Sequence, residues 1–436
     1  MNYSEYNSLR TNKIGQLAFN LGTFFLSTAL PISGIFFIIS IFISFLETKF
    51  QLLNDKWNLT IIFIGGLFIF NSLRLNLVNI SYTVFIDKTN STLDLFNWIP
   101  LFILFISSQY YLKNNLQRLL FSKYLVAGTI PVLISCILQY RFKIYGPFKT
   151  FYGLIVIFNK RIDINEAVSG LFSNPNYTGI WLTIYLPVLL ILIFKCKRIT
   201  LQKITLFIIL ILSIYLIFLT LSRNALTSLL TSAVLIFGIK KIIFLALFSY
   251  LIYLSFGVLD SYINLKGLNL ISESQIQNLV NKLNINNISN IFEFTRIKIW
   301  INTLKLILKK PLFGYGASTF PIIFYNFANL KMQHSHNMPL QLAYDYGLPI
   351  SFLLTSFITV LFLVCSINIF QTRNFNSSFL FNKCWLASCL VAILNHIYDI
   401  TYYDGKISIL IWIFIAGLKC IYDETNIIKN NENIPN

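Results

Sequence analysis

Residues 200–221 read TLQKITLFIILILSIYLIFLTL, with Lys203 as the single charge. A run of this length, about 20 apolar residues, is what an α-helix needs to cross the hydrocarbon of a bilayer. Similar runs recur from end to end, near residues 15–30, 32–47, 59–78, 94–112, 118–139, 176–195, 223–239, 241–258, 347–370, 378–396 and 406–422. With the quoted run they make twelve expected spans. The first pair is split at Pro31, and the seventh and eighth are joined by a tight hairpin at Ser222-Arg223. Composition agrees. The 436 residues are 56% hydrophobic and 11% charged, against about 25% charged in a soluble domain. Too few charges remain to cover the surfaces of a soluble protein of this size, which excludes a soluble enzyme, a disordered chain and a fibrous protein. Only helices or closed barrels satisfy the backbone in lipid, and runs this long are helices. The fold class expected is an all-α polytopic membrane protein of about twelve transmembrane helices.

Two long stretches do not read as spans. One lies between the fifth and sixth helices, at about 140–175. The other is a large helical loop between the ninth and tenth, rich in Asn, Ser and Lys. The chain therefore divides into an N-terminal transmembrane bundle over 1–258, the large loop over 259–337, and C-terminal transmembrane helices over 338–436. An even count places both termini on one side. If that side is cytoplasmic, seventeen Lys and Arg of the short loops and tails lie inside, against Lys88, Arg223 and Lys406 outside. This is the asymmetry that orients membrane proteins. Both long loops then face outward. The N-terminal residues carry no small-residue cleavage signal, so the first apolar segment is expected to stay as an anchor.

The net charge is +18. Topology accounts for much of it, but the large loop is basic too, with Lys266, Lys282, Arg296, Lys298, Lys305, Lys309, Lys310 and Lys331 against Asp260, Glu273 and Glu293. A solvated surface explains this, and so does an anionic substrate; nucleic acid is not an expected partner. The six cysteines sit in or beside apolar segments without a C-x-x-C pair and read as small buried hydrophobes. There is no phosphate-binding G-x-x-x-x-G-K-[ST] loop, no H-E-x-x-H zinc motif and no D-x-D. Acids are scarce inside the spans, unlike in a proton-coupled transporter. Asp345, Asp399 and Asp404 lie near predicted outer ends. A reaction without metal or cofactor at the outer face fits this inventory better than energised transport.

The residues left for chemistry lie in the loops. Gln333-His334-Ser335-His336-Asn337-Met338-Pro339 ends the large loop. Asn337 suits an N-cap and Pro339 a first helical turn, which would put His336 just before a helix at the membrane surface. A neutral imidazole there can accept a proton from a hydroxyl, or can merely support the cap. Arg223 follows a strongly apolar run; it either marks the hairpin or offers its guanidinium to a phosphate. Arg296 opens an amphipathic helix at about 293–310, with Lys298, Lys305 and Lys309 on one face. Its apolar side, including Trp300, suits a membrane interface, and membrane lipids are expected partners. Gly314 and Gly316, in Pro311-Leu312-Phe313-Gly314-Tyr315-Gly316, permit a tight turn and close backbone approach. In the other loop Asn174-Pro175-Asn176 precedes a span; Asn174-Pro175 is turn chemistry and Asn176 the expected cap, with sugar or phosphate binding as the alternative.

Over Gly170 to Ile350 these residues together resemble the O-antigen ligase and polymerase superfamily, multispanning transferases that act on undecaprenyl-diphosphate-linked glycans. The resemblance is carried by Asn174-Pro175-Asn176, Ser222-Arg223, Arg296-x-x-x-Trp300, the run 311–316 and His336-Asn337. After His336-Asn337, nine residues precede Gly347-Leu348-Pro349-Ile350, where Ile350 departs from the ligase pattern. The resemblance implies that Arg223 and Arg296 hold the donor diphosphate and that His336 orients or deprotonates the acceptor hydroxyl, with His334 as its competitor. His334, Asn337, Asn174, Asn176, Lys298, Gly314 and Gly316 would line the substrate site. The expected activity is an inverting, metal-independent glycan transfer at the periplasmic face of a bacterial inner membrane, with lipid A-core as the acceptor of a ligase. A growing glycan or a protein is the acceptor of its subclass rivals. A transporter of an anionic solute and a non-catalytic envelope scaffold are the readings from other classes.

Overall fold

The computed structural model describes residues 3–77, 88–162, 167–196, 198, 200–244, 295–371 and 377–432. Its helices are α1 (Tyr3–Phe25), α2 (Leu30–Thr48), α3 (Lys56–Leu77), α4 (Lys88–Leu93), α5 (Ile99–Ser108), α6 (Asn115–Phe142), α7 (Pro175–Lys195), α8 (Leu201–Leu219), α9 (Arg223–Phe237), α10 (Thr295–Lys309), α11 (Phe320–Ala328), α12 (Met338–Tyr346), α13 (Leu348–Gln371), α14 (Ser377–Tyr398) and α15 (Gly405–Glu432). Among the described residues nine segments are long and apolar enough to cross a membrane, and this is a multi-pass membrane protein. The twelve spans expected are thus reached only in part. The first apolar segment belongs to α1, which begins well before residue 15 and is diluted by polar residues, and it is not among the nine. Helix α9 is apolar but only 15 residues long. The expected span at 241–258 is described only to residue 244. Most of the large loop's first part, with Lys266 and Lys282, lies outside the described residues.

The nine segments differ in what surrounds them. In α7, 89% of the most apolar stretch is buried, against 22% in α2 and α8. Helix α7 is therefore a central post, while α2 and α8 present Ile38, Phe42, Ile208 and Ile211 outward. Between helices, small hydroxyl residues bond to neighbouring carbonyls. Ser33 donates to Gly22 O across the α1–α2 hairpin (2.7 Å), and Ser388 of α14 donates to Ile184 O of α7 (2.7 Å). Such bonds satisfy hydroxyls that lipid cannot. Arg118 of α6 is fully buried and pairs with Glu424 of α15. Losing one partner would leave an uncompensated buried charge.

The architecture is nearly all helix, with one departure from the expected class. In the loop between α6 and α7, strands β1 (Phe148–Thr150) and β2 (Ile155–Ile157) form an antiparallel hairpin, with Phe148 opposite Ile157 and Thr150 opposite Ile155. Aromatic and β-branched residues flanking Gly153 favour it.

The part of the large loop that is described has its own core. Ile299, Leu306 and Ile307 of α10 pack with Tyr315, Phe320 and Phe324 and with Ala343 and Tyr344 of α12. The amphipathic helix thus turns one apolar face inward, onto protein. Its lysines Lys298, Lys305 and Lys309 are exposed, as are Leu304 and Leu308. Gly314 and Gly316 serve the close approach read from the sequence, and its object is α12. Tyr315 N–H donates to Tyr344 O (2.7 Å), and Gly316 N–H to Asp345 O (2.9 Å). At Gly314 a Cβ would meet Tyr344 O at 2.4 Å. Gly347, at φ +90°, leaves even less room, since a Cβ would lie 2.2 Å from Leu312 O. Gly347→Ala combines a strained backbone with a clash against main chain that cannot swing away. It should cost about 1–3 kcal/mol, read as a lowered midpoint of thermal unfolding in detergent. Gly34→Ala in α2, with open space around it, should be neutral or slightly stabilising in the same assay.

Candidate active site

Three chain segments meet at one end of the bundle. The first is the turn 333–337. Asn337 caps α12 by accepting from Leu340 N–H (2.9 Å), and its amide donates to Ile397 O at the end of α14 (3.0 Å). One side chain thus closes the helix start and fastens the histidine turn to α14. Gln341 fixes the turn from below, accepting from Ser335 N–H (2.9 Å) and donating to both Asp345 oxygens (3.1 and 3.0 Å). Asp345 is fully buried; burial, then the nearby Asp94 charge, raise its pKa well above the usual carboxylate range, while the Gln341 bond works against them. His336 is held in the left-handed region, at φ 54°, a conformation uncommon outside glycine that is worth noting at a functional site.

The second segment is the corner after α14. Asp399 accepts from Ile400 N–H (2.9 Å) and sits 3.0 Å from His336 Nδ1. An ionised carboxylate can only accept, so Nδ1 carries the proton of this bond. Burial raises the Asp399 pKa. The bonds from His336 and from Ile400, with the charges of His336 and Arg296, outweigh it, and the net shift is downward. Asp399 thus stays ionised, as an orienting partner requires. His334 stands beside His336 with ring centroids 4.3 Å apart, and its Nδ1 accepts from His336 N–H at 3.3 Å. Burial first, then the His336 charge, bring its pKa down to about 4, and Arg296 pushes the same way. His334 is therefore neutral at neutral pH. Arg296, half-buried at the start of α10, reaches both His334 and Asp399 with its charge.

The third segment is formed by the starts of α7 and α9. Asn174 caps α7, accepting from Asn176 N–H (2.9 Å), and the Asn176 amide donates to Asp399 Oδ2 (3.4 Å). Gly179 lets α9 come close: a Cβ there would sit 2.7 Å from Ala225 Cβ and 3.3 Å from Ser222 Cβ. Ser222 caps α9 (3.4 Å), and Arg223 follows, exposed. Asn395 of α14 donates to Ser228 of α9 at 2.9 Å. From that contact Arg223 lies about 7 Å further along its helix and Asp399 about 6 Å along its own. Arg223 and Asp399 therefore stand at a similar height, with the α7 start beside them.

An apolar groove of about 170 Å³ opens beside the turn 338–339, lined by Met338, Pro339, Leu342, Ile397, Tyr402 and Trp412 among others. His396 also lines it. Its Nδ1–H donates to Ala392 O (2.7 Å), leaving Nε2 buried without a partner.

The candidates thus sort by place. His336, His334 and Asn176 meet at Asp399, Asn337 fastens their turn to Ile397, and Arg296 reaches the cluster electrostatically. Arg223 stands at the same end. Asn174 is a helix cap, Gly314 and Gly316 pack on α12, and Lys298 faces solvent. Asp399 was visible only as an acid near a helix end.

Residues 208–355 match the O-antigen ligase family. The match covers about a third of the chain and agrees with the resemblance to the O-antigen ligase superfamily read from the sequence. The family is one of glycan transferases and ligases. The match contains Arg223, Arg296, His334 and His336, while Asn176 and Asp399 lie outside it. No curated protein matches the chain.

The pH dependence of stability follows from His334. Its folded pKa of about 4 lies below the unfolded value near 6.5. Above pH 6.5 neither state binds the proton, so the residue is silent. Below that the unfolded chain binds it first, and stability falls until about pH 4. The thermal midpoint in detergent should drop over this window, and His334→Asn should flatten the drop.

Proposed function

We propose that this protein transfers a glycan from a lipid diphosphate carrier to an acceptor hydroxyl, at the membrane face that holds His336. The observation that carries the reading is the His336–Asp399 contact in a chain whose residues 208–355 match the O-antigen ligase family. Asp399 holds the imidazole by Nδ1, so Nε2 is presented as a proton acceptor. The imidazolium formed on proton uptake is stabilised by the same carboxylate. The acceptor hydroxyl loses its proton to Nε2 as its oxygen attacks the anomeric carbon of the first sugar. The bond to the diphosphate breaks on the opposite face, and configuration inverts. Arg296 and Arg223 meet the departing diphosphate, offsetting charge where it develops. The carrier's hydrocarbon suits the apolar groove beside Met338 and Pro339. The sugar is already activated by its diphosphate, so no nucleotide is consumed.

The polarity of the short loops supports the periplasmic face of a bacterial inner membrane, with both termini inside. Undecaprenyl diphosphate is the carrier proposed from the superfamily, and lipid A-core the first acceptor. A growing glycan or a protein are the alternatives. Ile350, where the ligase pattern is broken, is buried in the core of the bundle, and this departure weakens the choice of ligase over polymerase.

The test is transfer by purified full-length protein in detergent, from a lipid-diphosphate-linked oligosaccharide. Lipid A-core, a second donor molecule and a protein would be offered in parallel. His336→Ala should lower the rate by about 10²–10⁴-fold and Arg296→Ala by about 10²–10³-fold. Asp399→Asn should fall between these variants and wild type. Transfer to none of the acceptors by folded protein would refute the reading.

A further inference from the structure

His334, His336 and Asp399 each offer one ligand atom, and these atoms all lie within 4.8 Å of one another. Two imidazoles and one carboxylate at one point are the donor set of a transition-metal site. We propose that this trio binds a zinc-class divalent ion and that the bound ion blocks the site by taking the imidazole that the reaction needs. The inhibitory half of this inference rests on the transfer reading; the binding half stands on the geometry alone.

The donor set selects the metal. Imidazole suits zinc, copper and nickel, whereas magnesium and calcium prefer oxygen ligands throughout. Zinc takes four ligands at about 2.0–2.1 Å, so three protein atoms would leave one position open. Tetrahedral ligands at that length stand about 3.3 Å apart. His336 Nδ1 and Asp399 Oδ1, at 3.0 Å, are already that close. The remaining separations, up to 4.8 Å, must close by about 1.5 Å. The weak 3.3 Å bond between His336 N–H and His334 Nδ1 is a small loss if His334 turns. His334 is neutral at pH 7, so no proton has to be expelled to free its lone pair.

The block follows from imidazole chemistry. A metal bound at His336 Nδ1 displaces the hydrogen bond to Asp399, and the ring proton moves to Nε2. The lone pair that would accept the hydroxyl proton is then gone. A metal bound at Nε2 occupies the acceptor directly. Arg296 works against the site, because its positive charge reaches both His334 and Asp399. Removing that charge should therefore tighten metal binding, a response that a purely structural arginine would not give.

The test titrates zinc chloride into metal-free full-length protein in detergent at pH 7.5, against a chromophoric chelator. The expected result is one ion per chain in wild type, with affinity reduced at least tenfold in His334→Asn and in Asp399→Asn, and raised in Arg296→Gln. Thermal melts of each variant establish that it is folded. Wild-type affinity retained in both folded variants would place the ion elsewhere, at a cysteine for instance, and overturn the inference. So would the lack of a zinc site in wild type. In the transfer assay, zinc should slow the wild type and EDTA should restore it. Loss of activity in EDTA with recovery in zinc would overturn the inhibitory assignment while leaving glycan transfer intact. If no acceptor is glycosylated but the trio still binds zinc, the transfer reading fails and the binding site stands.

Discussion

Asp399 is the point at which distant parts of the chain are held together. Its carboxylate takes hydrogen bonds from His336, from Asn176 and from its own neighbour Ile400. Those partners come from the histidine turn, the start of α7 and the corner after α14. A carboxylate that is 9% exposed needs this company, because burial raises its pKa and these bonds bring it back down. The bonds that keep it ionised are also the bonds that assemble the site. Position and charge state are therefore one constraint: loosening the corner would change the imidazole tautomer as well as the geometry.

The rest of the bundle explains why that corner is firm. Trp98 stacks on Tyr402 at 4.3 Å, Tyr402 donates to Asn97 O (2.9 Å), and Trp412 donates to the Tyr402 hydroxyl (2.9 Å). Asp404 caps α15, accepting from Lys406 N–H at 3.0 Å. The Lys406 ammonium donates to Leu171 O (3.2 Å), anchoring the segment before Asn174. From the other side, Gln341 hands the rigidity of buried Asp345 to the histidine turn. Irregular backbone at the end of a membrane bundle is tolerable when protein satisfies its polar groups, and this end is built that way.

Much of this was legible in the sequence, for physical reasons that differ by residue. Apolar runs announce helices because lipid leaves the backbone no other choice, so α7, α8, α13 and α14 fall close to their expected bounds. Asn337 announced a cap and caps; in the other loop the cap was expected at Asn176, and Asn174 takes it, because Pro175 opens the helix one residue earlier. Short-range signals failed where the answer lay in tertiary contact. Nothing local says that Asp399, 63 residues from His336, is its partner. An acid at a helix end, in a chain with 16 acids among 436 residues, was the available hint. The glycines of 311–316 signalled close approach, but not that α12 would be the surface approached. The β1–β2 hairpin escaped because three-residue strands lack a readable period. The first helix was placed late because its polar turns hide an α-helix that hydropathy does not report.

The same reasoning bears on what the two histidines do. Both are near Asp399, yet their surroundings push them apart. His336 faces the carboxylate by Nδ1, and so an imidazolium there is stabilised. His334 is half-buried and sits under the charges of His336 and Arg296, which hold it neutral down to about pH 4. A general base must accept a proton near the working pH and be stabilised when it does. His336 has a carboxylate bonded to its ring, and burial holds His334 neutral down to about pH 4, although spacing alone left them competitors. In the proposed reaction His336 is therefore the base, and His334 is a neutral neighbour able to hydrogen-bond a sugar or to ligate a metal.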